Sequence, residues 1–148
     1  DVWEFFKDYK NKTCIEFGTH KGQTTKILSY CFKHVYTINK DIQSFDNAKM
    51  LNVGIENITY VPFDLYSNGK LDFKDISVFM IDAGHQYNQV ISDVNRCLSM
   101  SLLDECYIIF DDYGYFRETQ RIIDEFLLDK SMTVNSILPG HHVYKGQK

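Results

Sequence analysis

The chain has 148 residues, of which 44% are hydrophobic and 24% charged, and it carries a net charge of −4 at pH 7. This length fits one domain with a sizeable buried core. The acidic balance argues against a nucleic-acid partner, because phosphate backbones bind basic protein faces, and no apolar run approaches the roughly 18 residues of a membrane helix.

Strand-like and helix-like patterns alternate along the chain. Strands are predicted over residues 13–17, 34–38, 58–63, 76–81 and 106–110. Helices are predicted over residues 23–32, 42–51, 87–102 and 116–127, and the tail around Pro139-Gly140 predicts a terminal hairpin. This order predicts an α/β, Rossmann-like doubly wound fold. It would have a mostly parallel seven-stranded sheet, helices on both faces and a C-terminal antiparallel hairpin.

Single residues refine this prediction. Pro62 in the third strand favours a position at the margin of the sheet. Residues 76–81 are nearly all apolar, which is typical of a parallel strand buried on both faces. The predicted inner faces of the first two helices include Ile27 and Leu28 in one and Ile42 in the other.

The four cysteines, Cys14, Cys31, Cys97 and Cys106, lie inside apolar stretches without a CxxC spacing. Such cysteines are typical of small buried hydrophobic residues in a reducing compartment, and not of a disulfide framework or a zinc site. The pattern therefore favours a cytoplasmic location.

Polar side chains follow the ends of the predicted crossover strands. They are Glu16, Asn39, Asp41, Asp64, Asp82, Asp111 and Asp112. Because ligands of open parallel sheets bind outside the carboxyl ends of the strands, these residues predict a binding site along that edge. An aspartate between a strand and a helix can also be a simple helix cap, and that alternative stays open for Asp112 in particular.

The segment EFGTHKGQTT after the first strand is a candidate cofactor loop. It lacks the GxxxxGK[ST] order of a phosphate-binding P-loop and two of the three glycines of a dinucleotide fingerprint. What remains is an acid and two glycines, Glu16, Gly18 and Gly22. The alternative interpretation is a glycine-rich turn such as any α/β protein contains.

This acid-x-Gly-x-x-x-Gly pattern resembles the first motif of class I S-adenosylmethionine-dependent methyltransferases. Two further stretches, IDAGHQYNQVISDV and IIFDDYGYFRETQRIIDEF, resemble the macrocin-type, sugar O-methyltransferase subgroup. The resemblance covers residues 14–126. It implies one methyltransferase domain over residues 1–148, with the chain a fragment of a longer protein as an open alternative.

The resemblance also implies which residues bind S-adenosylmethionine. They are Glu16, Gly18, Thr19, Gly22, Asn39, Asp41, Asp64 and Asp82. Asn39 departs from the family, in which an acid at this position binds the ribose hydroxyls, so Asp41 is the substitute candidate. In the family, the group at the position of Asp64 contacts the adenine of the cofactor. The alternative is that Asp64 is an ordinary turn aspartate.

The candidate metal ligands and the candidate general base follow the fourth and fifth predicted strands. In the related enzymes the positions of Asp82, Asp111 and Asp112 hold a metal, and oxygen ligands select hard ions such as Mg²⁺. His85 is a candidate general base, because histidine titrates near neutral pH. It could equally orient Asp82, itself also assigned to the catalytic site, or cap the long helix.

The sequence thus favours metal-assisted O-methylation of a small hydroxylated acceptor, a sugar first and a phenolic compound second. Asn39 motivates the alternative of a catalytically degenerate binding module, and a nicotinamide-dependent oxidoreductase would share the fold without the fingerprint. No nucleic-acid or membrane partner is expected. An open acceptor site, one completed by a homo-oligomer and one completed by a larger chain all stay open.

Overall fold

A computed structural model of the chain describes residues 2–100, 105–111, 113, 115–128, 133–138 and 141–147. The strands are Thr13–Phe17 (β1), His34–Asn39 (β2), Ile58–Pro62 (β3), Ile76–Ile81 (β4), Glu105–Phe110 (β5), Thr133–Leu138 (β6) and His141–Gln147 (β7). The helices are Val2–Phe6 (α1), Gln23–Cys31 (α2), Ile42–Leu51 (α3), Tyr87–Met100 (α4) and Arg117–Leu128 (α5).

Strands β1 to β5 form a parallel sheet in the order β3-β2-β1-β4-β5. The chain runs outward from β1 to β3 and then crosses back to β4 on the other side of β1. This reversal puts the topological switch point outside the carboxyl ends of β1 and β4. Open α/β sheets bind their ligands at such a point. Phe17 lies opposite Ile38 in β2 and Ile81 in β4, so the three strands end level with one another.

Two apolar cores cover the two faces of this sheet. Alternate residues of β4 point to opposite sides, with Val78 in one core and Phe79 in the other. Helices α1 and α2 supply the first core through residues such as Leu28. Helices α4 and α5 supply the second through residues such as Val94 and Ile122. Helices therefore lie on both faces, as the alternating sequence pattern predicts.

The structure confirms a Rossmann-like α/β fold with a parallel sheet. Strand β3 stands at the edge of the parallel order, which agrees with Pro62, and all six residues of β4 are buried. The seven-strand count and the C-terminal hairpin stay predictions.

The prediction of which residues the short helices α2 and α3 bury was partly wrong. Ile27 is 45% exposed and Ile42 is 64% exposed. In α2 the buried residues include the polar Thr25 and Ser29, whereas in α3 they are Phe45 and Ala48. Ile42 is the first residue of α3, whereas Ile27 lies in the middle of α2, about 100° around the helix from the buried Leu28.

The prediction that Cys14, Cys31, Cys97 and Cys106 are buried is confirmed. Across the part of the chain that the structure describes, none of the helices has the length and apolar character needed to cross a membrane.

Candidate functional site

A cavity of about 700 Å³ lies beyond the carboxyl ends of the central strands. Four segments supply most of its lining: the turn after β1, the turn after β2, residues 63–66 after β3 and residues 82–86 after β4. The level ends of β1, β2 and β4 bring these segments together, although they are distant in sequence. The cavity thus occupies the switch point at which the fold predicts a ligand.

Gly18 forms the floor of the cavity where β1 gives way to α2. Its φ of +97° lies in the left-handed region that favours glycine. A Cβ atom at this position would stand 2.0 Å from the backbone oxygen of Asp82. Backbone hydrogen bonds of 2.9 Å hold both sides of the turn, from Gly18 N to Ile38 O and from Asp82 N to Phe17 O. Only glycine fits this close approach of two strand ends.

Glu16 lies fully buried beneath this floor and does not line the cavity. The hydroxyls of Thr25 and Thr37 donate hydrogen bonds to its Oε2 atom, and the Thr19 and Thr37 hydroxyls lie 2.6 Å apart. Burial raises the pKa of Glu16 to about 8, against the lowering effect of the two threonine hydrogen bonds. The negative charges of Asp82 and Asp111 make smaller contributions to this raised pKa.

Thr19 and Gly22 likewise stand away from the cavity. Thr19 is buried in the hydroxyl chain that ends at Glu16. Gly22 caps α2 with a φ of +82°, and a Cβ there would come within 2.7 Å of the Ala48 side chain. The second glycine of the motif therefore lets α2 pack closely on α3. Direct cofactor contacts of Glu16, Thr19 and Gly22 stay predictions.

Asn39, Asp41 and Asp64 all line the cavity. Asp41 also caps α3, because its carboxylate accepts hydrogen bonds of 3.0 Å from Gln43 N and from the Ser44 hydroxyl. Asp64 accepts a hydrogen bond of 2.9 Å from Tyr66 N within its own turn. A carboxylate oxygen can accept more than one bond, so these local roles leave capacity for a ligand.

Asp82 and His85 line the same cavity from the turn after β4. The His85 ring stacks on Phe116, with centroids 4.2 Å apart and an angle of 12° between the planes. Asp111 follows the neighbouring strand β5, and its backbone N–H donates to Ile81 O at 3.2 Å. The structure therefore places Asp82 and Asp111 at adjacent strand ends.

The third predicted metal ligand, Asp112, lies outside the described residues. Within those residues, no group of three or more His, Cys, Asp or Glu side chains could hold a metal ion. Asp82 and Asp111 offer two carboxylates of the kind that hard divalent ions prefer, and such ions complete their shell with water. The donor chemistry fits magnesium, but this pair alone is too small a set to identify a metal site.

Sequence reasoning missed the aromatic wall formed by Phe63 and Tyr66. It also missed Gln89 in the first turn of α4, which lines the cavity. One signal was present in the sequence: residues 63–75 carry no regular pattern, and irregular segments of that length are uncommon unless they have a function.

Comparison with known proteins identifies the fold as that of methyltransferases. The chain is similar to SMU.1697c of Streptococcus mutans, assigned as a methyltransferase and solved in complex with SAH (TM-score 0.73, 15% identity, 99% of this chain and 96% of that chain). It is also similar to the O-methyltransferase NovP (TM-score 0.75, 11% identity, 99% and 80%). A third similar structure is an rRNA methylase of Streptococcus thermophilus (TM-score 0.67, 13% identity, 99% and 93%).

No protein-family model matches the chain, and no curated protein matches it. Identities of 11–15% to the solved structures establish the fold alone. The chain therefore has the class I methyltransferase fold.

Proposed function

We propose that the chain is an S-adenosylmethionine-dependent methyltransferase that methylates an oxygen of a small hydroxylated acceptor, a sugar first and a phenolic compound second. The observation that carries the proposal is the cavity at the switch point. Its floor is a glycine that permits close backbone approach, and its walls carry Asn39, Asp41, Asp64 and Asp82. The SAH complex of SMU.1697c, which has this fold, supports the same cofactor here.

Each wall would meet a different part of the cofactor. Gly18 would let the amino-acid end approach the backbone, where the nearby carboxylate of Asp82 suits its ammonium group and the sulfonium. Asn39 and Asp41 would accept hydrogen bonds from the ribose hydroxyls. Asp64 would meet the adenine between the side chains of Phe63 and Tyr66, which line the same wall. Methyl transfer is an in-line displacement, so this positioning supplies much of the catalysis.

The proposal includes Mg²⁺, held by Asp82, Asp111 and Asp112. Its support is the position of Asp82 and Asp111 at adjacent strand ends, together with the preference of hard ions for carboxylate oxygen. When bound, the ion would orient an acceptor hydroxyl and stabilise the charge that develops on its oxygen. His85 would accept the hydroxyl proton, since it lines the cavity three residues after Asp82 and its ring is held by stacking on Phe116.

The remaining parts of the proposal concern the whole chain. A small-molecule acceptor and no nucleic-acid partner agree with the net charge of −4. A cytoplasmic location agrees with four buried cysteines. The antiparallel register of β5 with β7, and of β7 with β6, supports a seven-stranded sheet with a C-terminal hairpin.

The alternative is a degenerate methyltransferase fold that binds a partner or cofactor without turnover. One observation favours it. The residue at the end of β2 is the neutral Asn39, and the acid two residues on, Asp41, already caps α3. This alternative predicts weak or absent binding of S-adenosylmethionine.

Calorimetric titration with S-adenosylmethionine and SAH, each with and without Mg²⁺, tests the proposal, with NAD⁺ as the control ligand. We expect affinity in the micromolar range for both methionine-derived ligands and no heat with NAD⁺. Absence of binding in every condition would overturn the proposal in favour of the degenerate module. Binding of NAD⁺ alone would indicate an oxidoreductase.

A further inference from the structure

The segment between β3 and β4 forms one wall of the cavity but has no regular structure to hold it. Residues 63–75 contain neither helix nor strand, and residues 63–66 line the cavity. A segment of this length has many accessible conformations, and fixing each residue costs on the order of 1–2 kcal/mol of backbone entropy. Anchors from outside the segment must therefore define the shape of this wall.

One such anchor is Arg96 of α4. Its guanidinium donates to three backbone carbonyls in alternate positions of the segment: from Nε to Leu65 O at 2.6 Å, from Nη1 to Gly69 O at 2.9 Å and from Nη2 to Ser67 O at 2.5 Å. The same guanidinium lies 5.2 Å from the centre of the Phe63 ring. One side chain thus fixes both the backbone and an aromatic side chain of the wall.

Asp93, one turn before Arg96, holds the wall at a second point. Its carboxylate accepts a hydrogen bond of 3.3 Å from the hydroxyl of Tyr66, whose ring lines the cavity. Asp93 itself is fully buried. Neither Asp93 nor Arg96 lines the cavity.

We propose that Arg96 is a positioning residue for cofactor binding, which sets the wall of residues 63–66 against the adenosine part of the ligand without touching it. The inference rests on the proposed function. It follows from the three carbonyl contacts, because a wall that is ordered before binding avoids the entropy cost of ordering it during binding. The physical basis is the planar fork of five N–H donors that arginine alone provides.

A lysine at this position would keep the charge without reproducing the contacts. An ammonium group is a point charge with three donors around one atom, and it does not span carbonyls of residues 65, 67 and 69 simultaneously. This difference separates a positioning role from a purely electrostatic role. In the electrostatic case lysine would restore binding, whereas in the positioning case it would not.

The test compares Arg96→Gln and Arg96→Lys with the wild-type chain and with Arg121→Gln, which removes an exposed arginine from α5. SAH affinity is measured by calorimetry, and backbone hydrogen exchange of residues 63–75 is measured without ligand. We expect both Arg96 variants to bind SAH between about tenfold and 100-fold more weakly. We also expect faster exchange confined to residues 63–75. Arg121→Gln should match the wild type in both measurements.

The outcomes separate this inference from the proposed function. SAH affinity equal to wild type in Arg96→Gln, or full recovery in Arg96→Lys, would overturn the inference while the proposed function stands. Unchanged exchange in residues 63–75 would also overturn it, as would faster exchange across the whole sheet, which indicates general loss of stability. If the wild-type chain itself binds no SAH, the proposed function is wrong and the inference is lost with it.

Discussion

Asp93 is a buried acid whose protonation should make stability depend on pH. Burial raises its pKa to about 7, against the lowering effects of the Tyr66 hydrogen bond and the Arg96 charge. The folded chain therefore keeps a proton that the unfolded chain releases near its ordinary pKa of 3.8. The contribution of this group to stability is complete below about pH 4 and is lost as the pH rises through about 7.

The substitution Asp93→Asn removes this titration. Between about pH 4 and about pH 8, we expect the wild-type free energy of unfolding to fall by up to about 4 kcal/mol more than that of the variant. Urea unfolding at several pH values measures the difference. The raised pKa of Glu16 also makes the free energy of unfolding fall as the pH rises. This effect is present in both proteins, so it cancels from the comparison. Asp46→Asn, at an exposed position of α3, is the control, and parallel wild-type and Asp93→Asn profiles would contradict the prediction.

Asp111 tests the magnesium proposal at the level of one carboxylate. Asp111→Asn keeps the shape of the side chain and removes one negative charge beside Asp82 and Glu16. In the presence of SAH, we expect it to bind Mn²⁺, used as a paramagnetic substitute for Mg²⁺, at least about tenfold more weakly than the wild type. Electron paramagnetic resonance measures the free ion. Equal Mn²⁺ affinity in Asp111→Asn and in the control Asp46→Asn would exclude Asp111 as a ligand.

Single residues also mark the limit of what the sequence predicted. Asn39, Asp41, Asp64, Asp82 and His85 reach one cavity because parallel strands end level, and that consequence of the fold can be predicted from the sequence. The burial of Glu16 could not be predicted in the same way. Its threonine partners come from α2 and β2, and only tertiary structure brings them together.

At the scale of elements, the turn between β1 and α2 depends on a glycine that packs against β4. Gly18→Ala would place a methyl group 2.0 Å from Asp82 O and strain a φ of +97°. Gly54→Ala is a matched control, since its φ is +81° but nothing lies within 4 Å of the added atom. It isolates the conformational cost of about 1 kcal/mol from the steric cost.

We expect Gly18→Ala to lose at least about 3 kcal/mol of unfolding free energy, or to fail to fold, because both contacting groups are backbone. Gly54→Ala should lose about 1 kcal/mol. Urea unfolding of the two variants measures both values. Similar losses in the two would mean that the turn after β1 relaxes and that β1 and β4 do not need the close approach.

Elements were predicted well where periodicity was strong and poorly where it was absent. The nearly all-apolar strand β4 and the long apolar stripe of α4 could be placed from the sequence alone. The segment of residues 63–75 could not, because its conformation depends on Arg96, a partner about 30 residues away in the chain. Every residue has a backbone carbonyl, so hydrogen bonds from Arg96 to these carbonyls require no particular side chains in residues 63–75. They therefore leave no pattern in the sequence.

At the scale of the whole molecule, the parallel sheet follows from the alternation of strands and helices, whereas the acceptor does not follow from the fold. An O-methyltransferase and an rRNA methylase both superpose on nearly the whole of this chain. Fold similarity therefore leaves the choice between a small molecule and RNA to other properties. Net charge is one such property, and it leads to a testable prediction.

A chain with a net charge of −4 should bind RNA poorly. Protein–RNA affinity depends largely on neutralising phosphates and releasing counterions, which requires clustered lysine and arginine. We expect a fluorescently labelled rRNA hairpin, titrated with the protein and SAH, to bind more weakly than about 100 µM even at about 50 mM salt. Fluorescence anisotropy measures the affinity, and a basic RNA-binding domain serves as the positive control. Micromolar binding that weakens strongly between about 50 mM and about 200 mM salt would overturn the small-molecule proposal and make RNA the acceptor to pursue.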